Sequence, residues 1–113
     1  MLGCDIVELD RIRRAHGRFG DKFIDKILSK REKEVFLTRK KSSISYLAGR
    51  FAAKESIAKS LKTGLGSTWF YDIEILSGER GEPLVYICGE RREDIEVSIS
   101  HGRDYAVAVS LIR

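Results

Sequence analysis

Gly49-Arg50-Phe51-Ala52-Ala53-Lys54-Glu55-Ser56-Ile57-Ala58-Lys59 lies inside the longest apolar-periodic stretch of the chain, residues 44–62, and its reading decides the fold. Ile44, Leu47, Ala48, Phe51, Ala58 and Leu61 form a stripe at helical spacing. This predicts one long helix from about Ile44 to Lys62, stopped by Gly64 and Gly66. A helix with such a stripe needs a surface to pack on, and the flanking sequence supplies it.

Working back toward the start, Arg39-Lys40-Lys41 with Ser42 and Ser43 reads as a loop. Ser29-Lys30-Arg31-Glu32 fits a capping box, in which serine and glutamate satisfy each other's free backbone N–H groups. It predicts a helix from Lys30 to about Thr38. Phe23, Ile24, Ile27 and Leu28 indicate a short helix, and Leu9, Ile12 and Ala15 another from Leu9 to His16, with Gly17 and Gly20 bracketing its end. Leu2 to Val7 is apolar apart from Asp5 and reads as a strand. Beyond the long helix the period changes. Trp69 to Leu76 alternates, Gly78 to Pro83 is a turn, and Leu84 to Cys88, Ile95 to Ser100 and Tyr105 to Ile112 are strands. The order predicts an α+β architecture, helices packed on antiparallel strands, in a single domain over 1–113.

Composition narrows the function. Residues 1–62 hold 16 Lys/Arg against 8 Asp/Glu, and residues 63–113 hold 5 against 9. The first half should therefore meet something anionic: nucleic acid, a phosphorylated cofactor or an acidic protein. Cys4 and Cys88, with His16 and His101, show no metal-ligand spacing and read as buried free thiols of a reducing compartment. No apolar run approaches the length of about 20 residues that a bilayer needs. Leu2 to Val7 lacks the basic lead of a signal peptide, so a cytoplasmic protein without a membrane partner is expected.

Several residues could carry chemistry. Asp5 is a carboxylate within an apolar strand, which must be paired, hydrogen-bonded or bound to a cation; a strand-end acid facing solvent or an arginine explains it equally simply. Phe51, Glu55 and Lys59 share one helical face, where Glu55 and Lys59 form at least an ordinary i,i+4 pair. His101 ends a strand before a glycine turn and could project into a cleft. The Thr63-Gly64-Leu65-Gly66-Ser67 loop could let backbone N–H groups approach a phosphate, without the full Walker pattern. Arg11, Arg14 and Arg18 fall on one face if the first helix continues past Gly17. A solvated basic face accounts for them as well.

The order of these features resembles the holo-acyl-carrier-protein synthases, a 4′-phosphopantetheinyl transferase family. The resemblance rests on Gly3-Cys4-Asp5-Ile6-Val7-Glu8-Leu9, Gly49 to Ser56 with Lys59, Thr63-Gly64-Leu65-Gly66, Asp72-Ile73-Glu74-Ile75, Gly81-Glu82-Pro83 and Val97-Ser98-Ile99-Ser100-His101. It implies transfer of phosphopantetheine from coenzyme A to a serine of an acyl carrier protein, in support of fatty acid biosynthesis. It also implies a homotrimer with active sites between subunits. By motif position Asp5 and Glu55 correspond to magnesium ligands and, with Lys59, to the catalytic group. Lys41, Tyr46, Arg50, Lys59, Gly64, Gly66 and His101 correspond to coenzyme A contacts. Arg11, Arg14 and Arg18 are expected to meet the acidic carrier protein. Where some relatives place arginine before the long helix, this chain has Ser42 preceded by Lys40 and Lys41. A small basic nucleic-acid-binding module is the alternative reading of the charge, but aromatics do not interleave with the basic cluster and no nucleic-acid-binding motif is visible.

Overall fold

The structure, a computed structural model, describes residues 1–61 and 70–113. Its elements run β1 (Leu2–Glu8), α1 (Leu9–Phe19), α2 (Asp21–Ile27), α3 (Lys30–Thr38), α4 (Ser43–Ser60), a 3-10 turn (Phe70–Asp72), β2 (Ile73–Ser77), β3 (Pro83–Ile87), β4 (Glu90–Arg91), β5 (Ile95–His101) and β6 (Tyr105–Ile112). The strands form two antiparallel sheets, ordered β1-β6-β5 and β2-β3-β4. This is the α+β arrangement that the sequence predicts.

Helix α4 is the axis of the fold. It packs on β1, β6 and β5 and is flanked by α1 and α3. Leu47 and Ala48 of the predicted stripe are buried, but so are Ala52, Ala53, Lys54, Ser56, Ile57 and Ser60. A helix covered on most of its circumference shows no single apolar stripe. Its small residues instead let the sheet approach closely, as in the Ser60–Ser110 contact of 3.1 Å between hydroxyl oxygens. The capping box of α3 forms as predicted: Ser29 Oγ accepts from Glu32 N–H, and Glu32 Oε1 accepts from Ser29 N–H at 2.9 Å.

Four local expectations are corrected. α1 runs through Gly17 to Phe19, since one helical glycine costs only about 1 kcal/mol; Gly20, at φ 58°, is what ends it. α4 stops at Ser60, before Lys62, with Leu61 extended as its cap, and Gly64 and Gly66 lie outside the described residues. The strand predicted from Trp69 starts only at Ile73, because Phe70–Asp72 forms the 3-10 turn and the Phe70 carbonyl accepts from the Lys54 ammonium at 2.9 Å. Cys4 and Cys88 are exposed, not buried. Cys4 shares the outer face of β1 with Leu2 and Ile6, and Cys88 sits at φ 51° in the turn before Gly89.

Candidate active site

Strand alternation turns Gly3, Asp5 and Val7 of β1 toward α4. A Cβ on Gly3 would lie 2.0 Å from the Ser56 carbonyl oxygen, so only glycine permits this approach. With the two backbones in contact there, Asp5, two residues further on, meets Lys59, three residues past Ser56. Lys59 Nζ donates to Asp5 Oδ1 at 2.9 Å and to the Cys4 carbonyl at 3.2 Å. The Asp5 side chain is 16% exposed and that of Lys59 53%. The hydrogen bond and charge of Asp5, with a smaller pull from Glu55, raise Lys59 above the ordinary lysine pKa. Lys59 is therefore a fixed cation near neutral pH, suited to stabilising anions rather than accepting protons.

Glu55, half-buried one turn before Lys59, acts on it through charge. The hydrogen bonds of Lys59 go across to β1, which resolves the expected i,i+4 pair into a three-residue cluster. Two carboxylates and one ammonium carry a net negative charge. A phosphate group could approach them only with a further cation. Among the described residues no cluster of three or more His, Cys, Asp or Glu forms a closed metal cage. Two hard oxygen donors with an open side match the sparse donor set of magnesium, which keeps water and phosphate oxygens in its remaining positions. The residues present fit that ion.

A second group occupies a different side of α4. Tyr46, Arg50 and Lys54 recur at four-residue spacing, whereas Arg50 and Glu55 lie about 140° apart on the helical wheel. Lys54 and Glu32 are both 0% exposed and are joined by a 2.5 Å ion pair. Lys54 Nζ also donates to the Ile27 carbonyl at 2.6 Å and to Phe70, which completes its three donors. Burial pushes the Lys54 pKa down, against the opposing pull of Glu32. Glu32 Oε2 accepts from Ile75 N–H at 2.8 Å, while Arg50 Nε donates to the Ile75 carbonyl at 3.2 Å. These side chains thus occupy the free edge of β2. Sequence reasoning missed the pair: Glu32 was accounted for as a cap, and the only signal for Lys54 was a lysine within the apolar helix.

Tyr46 is buried, and the Arg50 and Arg39 guanidiniums lie 4.6 and 5.3 Å from its ring centre. His101 ends β5 exposed, its Cδ2 3.5 Å from where a Gly49 Cβ would stand. Lys41 is exposed in the loop before α4. Arg11, Arg14 and Arg18 are all exposed on α1, which does continue past Gly17 and so aligns them; Arg14 lies 4.0 Å from Asp10. The Thr63–Ser67 loop, with Gly64 and Gly66, lies outside the described residues. The structure thus brings Asp5, Glu55 and Lys59 together, and separately Tyr46 and Arg50.

Comparison with known proteins gives a consistent result. The family model of the 4′-phosphopantetheinyl transferase superfamily matches residues 1–110. A holo-[acyl-carrier-protein] synthase of Geobacillus sp. (strain WCH70) is 46% identical over 113 residues, covering 98% of this chain and 93% of the relative. One of Chlorobium phaeovibrioides is 43% identical, covering 99% and 93%. Among solved structures, the Helicobacter pylori holo-[acyl-carrier-protein] synthase in complex with coenzyme A aligns with a TM-score of 0.86 at 34% identity over 100% of both chains. That of Bacillus anthracis str. Ames in complex with CoA (3′,5′-ADP) gives 0.84 at 36% identity, over 98% and 93%.

Proposed function

This chain belongs to the holo-[acyl-carrier-protein] synthases of the 4′-phosphopantetheinyl transferase superfamily, and from that premise we propose how its residues divide the work. The enzyme transfers 4′-phosphopantetheine from coenzyme A to a serine of apo-acyl carrier protein and releases adenosine 3′,5′-bisphosphate. The observation that carries the residue assignment is the Asp5–Lys59 contact beside Glu55. Asp5 and Glu55 would hold magnesium, which would supply positive charge to offset that of the diphosphate. Glu55, directly or through a water, accepts the proton of the attacking serine hydroxyl. As the serine oxygen bonds to the β-phosphorus and the diphosphate bridge breaks, Lys59 stabilises the negative charge on the departing phosphate.

Tyr46, Arg50, His101 and Lys41 bind the nucleotide part of coenzyme A, and Arg11, Arg14 and Arg18 steer the acidic carrier protein. Tyr46 and Arg50 lie on a different side of α4 from Glu55, so we infer that one chain does not present both to one coenzyme A molecule. A shared site between chains removes the difficulty. The outer face of the β1-β6-β5 sheet supports such assembly: Leu2, Cys4 and Ile6 pair in register with Leu111, Val109 and Val107. Leu2 and Ile6 are 68% and 60% exposed, an apolar face of the kind that marks protein contacts. We assign this face to a homotrimer. Exposed free thiols at Cys4 and Cys88 suit a reducing compartment, and we place the enzyme in the cytoplasm. No described helix is long and apolar enough to cross a membrane.

The test is mass spectrometry of an apo-acyl carrier protein incubated with this enzyme, coenzyme A and magnesium. One phosphopantetheine should be added per carrier, at its serine, and the addition should fail with chelator. An unmodified carrier under saturating magnesium would refute the activity.

A further inference from the structure

Lys59 carries more than a charge, because its direction is set from β1. An ammonium has three donors. Two of those on Lys59 end on consecutive residues of one strand, Asp5 Oδ1 at 2.9 Å and the Cys4 carbonyl at 3.2 Å. The third makes no hydrogen bond among the described residues, and the side chain is 53% exposed. Lys33, by contrast, makes one bond, to Asp25, and Lys54 spends all three inside the core. A lysine side chain left free spreads over many rotamers, and ordering it costs up to about 2 kcal/mol. For Lys59 much of that ordering is already done.

Asp5 is divided in the same way. Its Oδ1 accepts from Lys59, whereas Oδ2 accepts no hydrogen bond among the described residues. Glu55 acts on Lys59 through charge and makes no hydrogen bond to it. The acceptor strand is itself fixed against α4, since a Cβ on Gly3 would stand 2.0 Å from the Ser56 carbonyl oxygen. That contact lies two residues before Asp5 and three before Lys59, so acceptor and donor are held from one point.

We infer that Asp5 is a positioning residue for Lys59 in addition to its place among the metal acids: with the Cys4 carbonyl it aims the remaining Lys59 N–H at the departing phosphate. This rests on the activity given above. A donor oriented beforehand needs no reordering as charge develops on the leaving group, which is where such donors are most effective. Oδ1 serves the ammonium, and Oδ2 would be left for the ion.

Charge and orientation separate when Asp5→Asn is compared with Asp5→Ala. Both remove the same negative charge, but only asparagine keeps an oxygen that can accept from Lys59 Nζ. Calorimetric titration with adenosine 3′,5′-bisphosphate in the presence of chelator reads the effect apart from turnover and from metal. Asp5→Asn should bind this nucleotide about 10-fold more tightly than Asp5→Ala, the share of a charged hydrogen bond that orientation supplies. Adding Lys59→Ala to each variant should erase the difference, since the coupling belongs to the pair. Equal affinities in the two single variants would overturn the inference. So would a difference that persists without Lys59. Wild-type enzyme that binds neither coenzyme A nor this nucleotide in magnesium would reject the coenzyme A reading itself.

Discussion

Lys54 and Glu55 are neighbours in sequence and opposites in circumstance. Lys54 is wholly buried, its three donors spent on Glu32, Ile27 and Phe70. Glu55 is half-buried beside an exposed ammonium whose partner, Asp5, lies on strand β1. A charge whose every bond is used inside the fold is structure, since moving it would leave unpaired groups behind. A charge left partly open, next to another it cannot fully satisfy, is available for chemistry. α4 carries both kinds on adjacent positions because successive helical residues face different surroundings.

The comparison can be broken by removing each side in turn. Asp5→Ala and Glu55→Ala should each lower turnover at least about 100-fold, as for loss of a group that stabilises transition-state charge. Melting temperatures should stay close to wild type. Steady-state carrier modification and thermal denaturation measure the two effects, and near-normal turnover at limiting magnesium in both variants would remove these acids from the reaction. Lys54→Met should do the reverse. It leaves Glu32 charged, buried and unpaired, at a cost of about 3–5 kcal/mol in denaturant unfolding. Adding Glu32→Gln should recover part of that loss, because it removes the stranded charge while keeping an acceptor for Ile75 N–H. A Lys54→Met enzyme as stable as wild type would mean that the pair is not what fixes α4.

The elements with strong local signals were legible in the sequence. The capping box placed α3, and alternation placed β6 from Tyr105 to Ile112. Motif order pointed to Asp5, Glu55 and Lys59 together. What escaped depends on contacts between distant segments. Nothing local to Gly17 reveals that α1 continues through it, or that Gly20 turns left-handed. Nothing near Lys54 announces an acid 22 residues away. The Phe70–Asp72 turn replaces a strand because its carbonyl is claimed by that lysine. The close approach at Gly3, which sets the Asp5–Lys59 distance, likewise needs the Ser56 carbonyl in place. Even the long helix misled in detail, since a helix buried on most sides conceals small polar residues among its core positions.

Under the proposed division of labour, Glu55 with Asp5 of β1, and Arg50 with Tyr46 on a different side of α4, meet across a boundary between chains. The direct measurement mixes two variants, Glu55→Ala and Arg50→Ala, each expected to be inactive alone, and refolds them together, with native mass spectrometry testing for mixed assemblies of the proposed trimer. If each site draws one half from each of two chains, random mixing makes about one quarter of the sites whole, and carrier modification should return to about that fraction of wild type. Mixed trimers that remain as inactive as either parent would contradict the account.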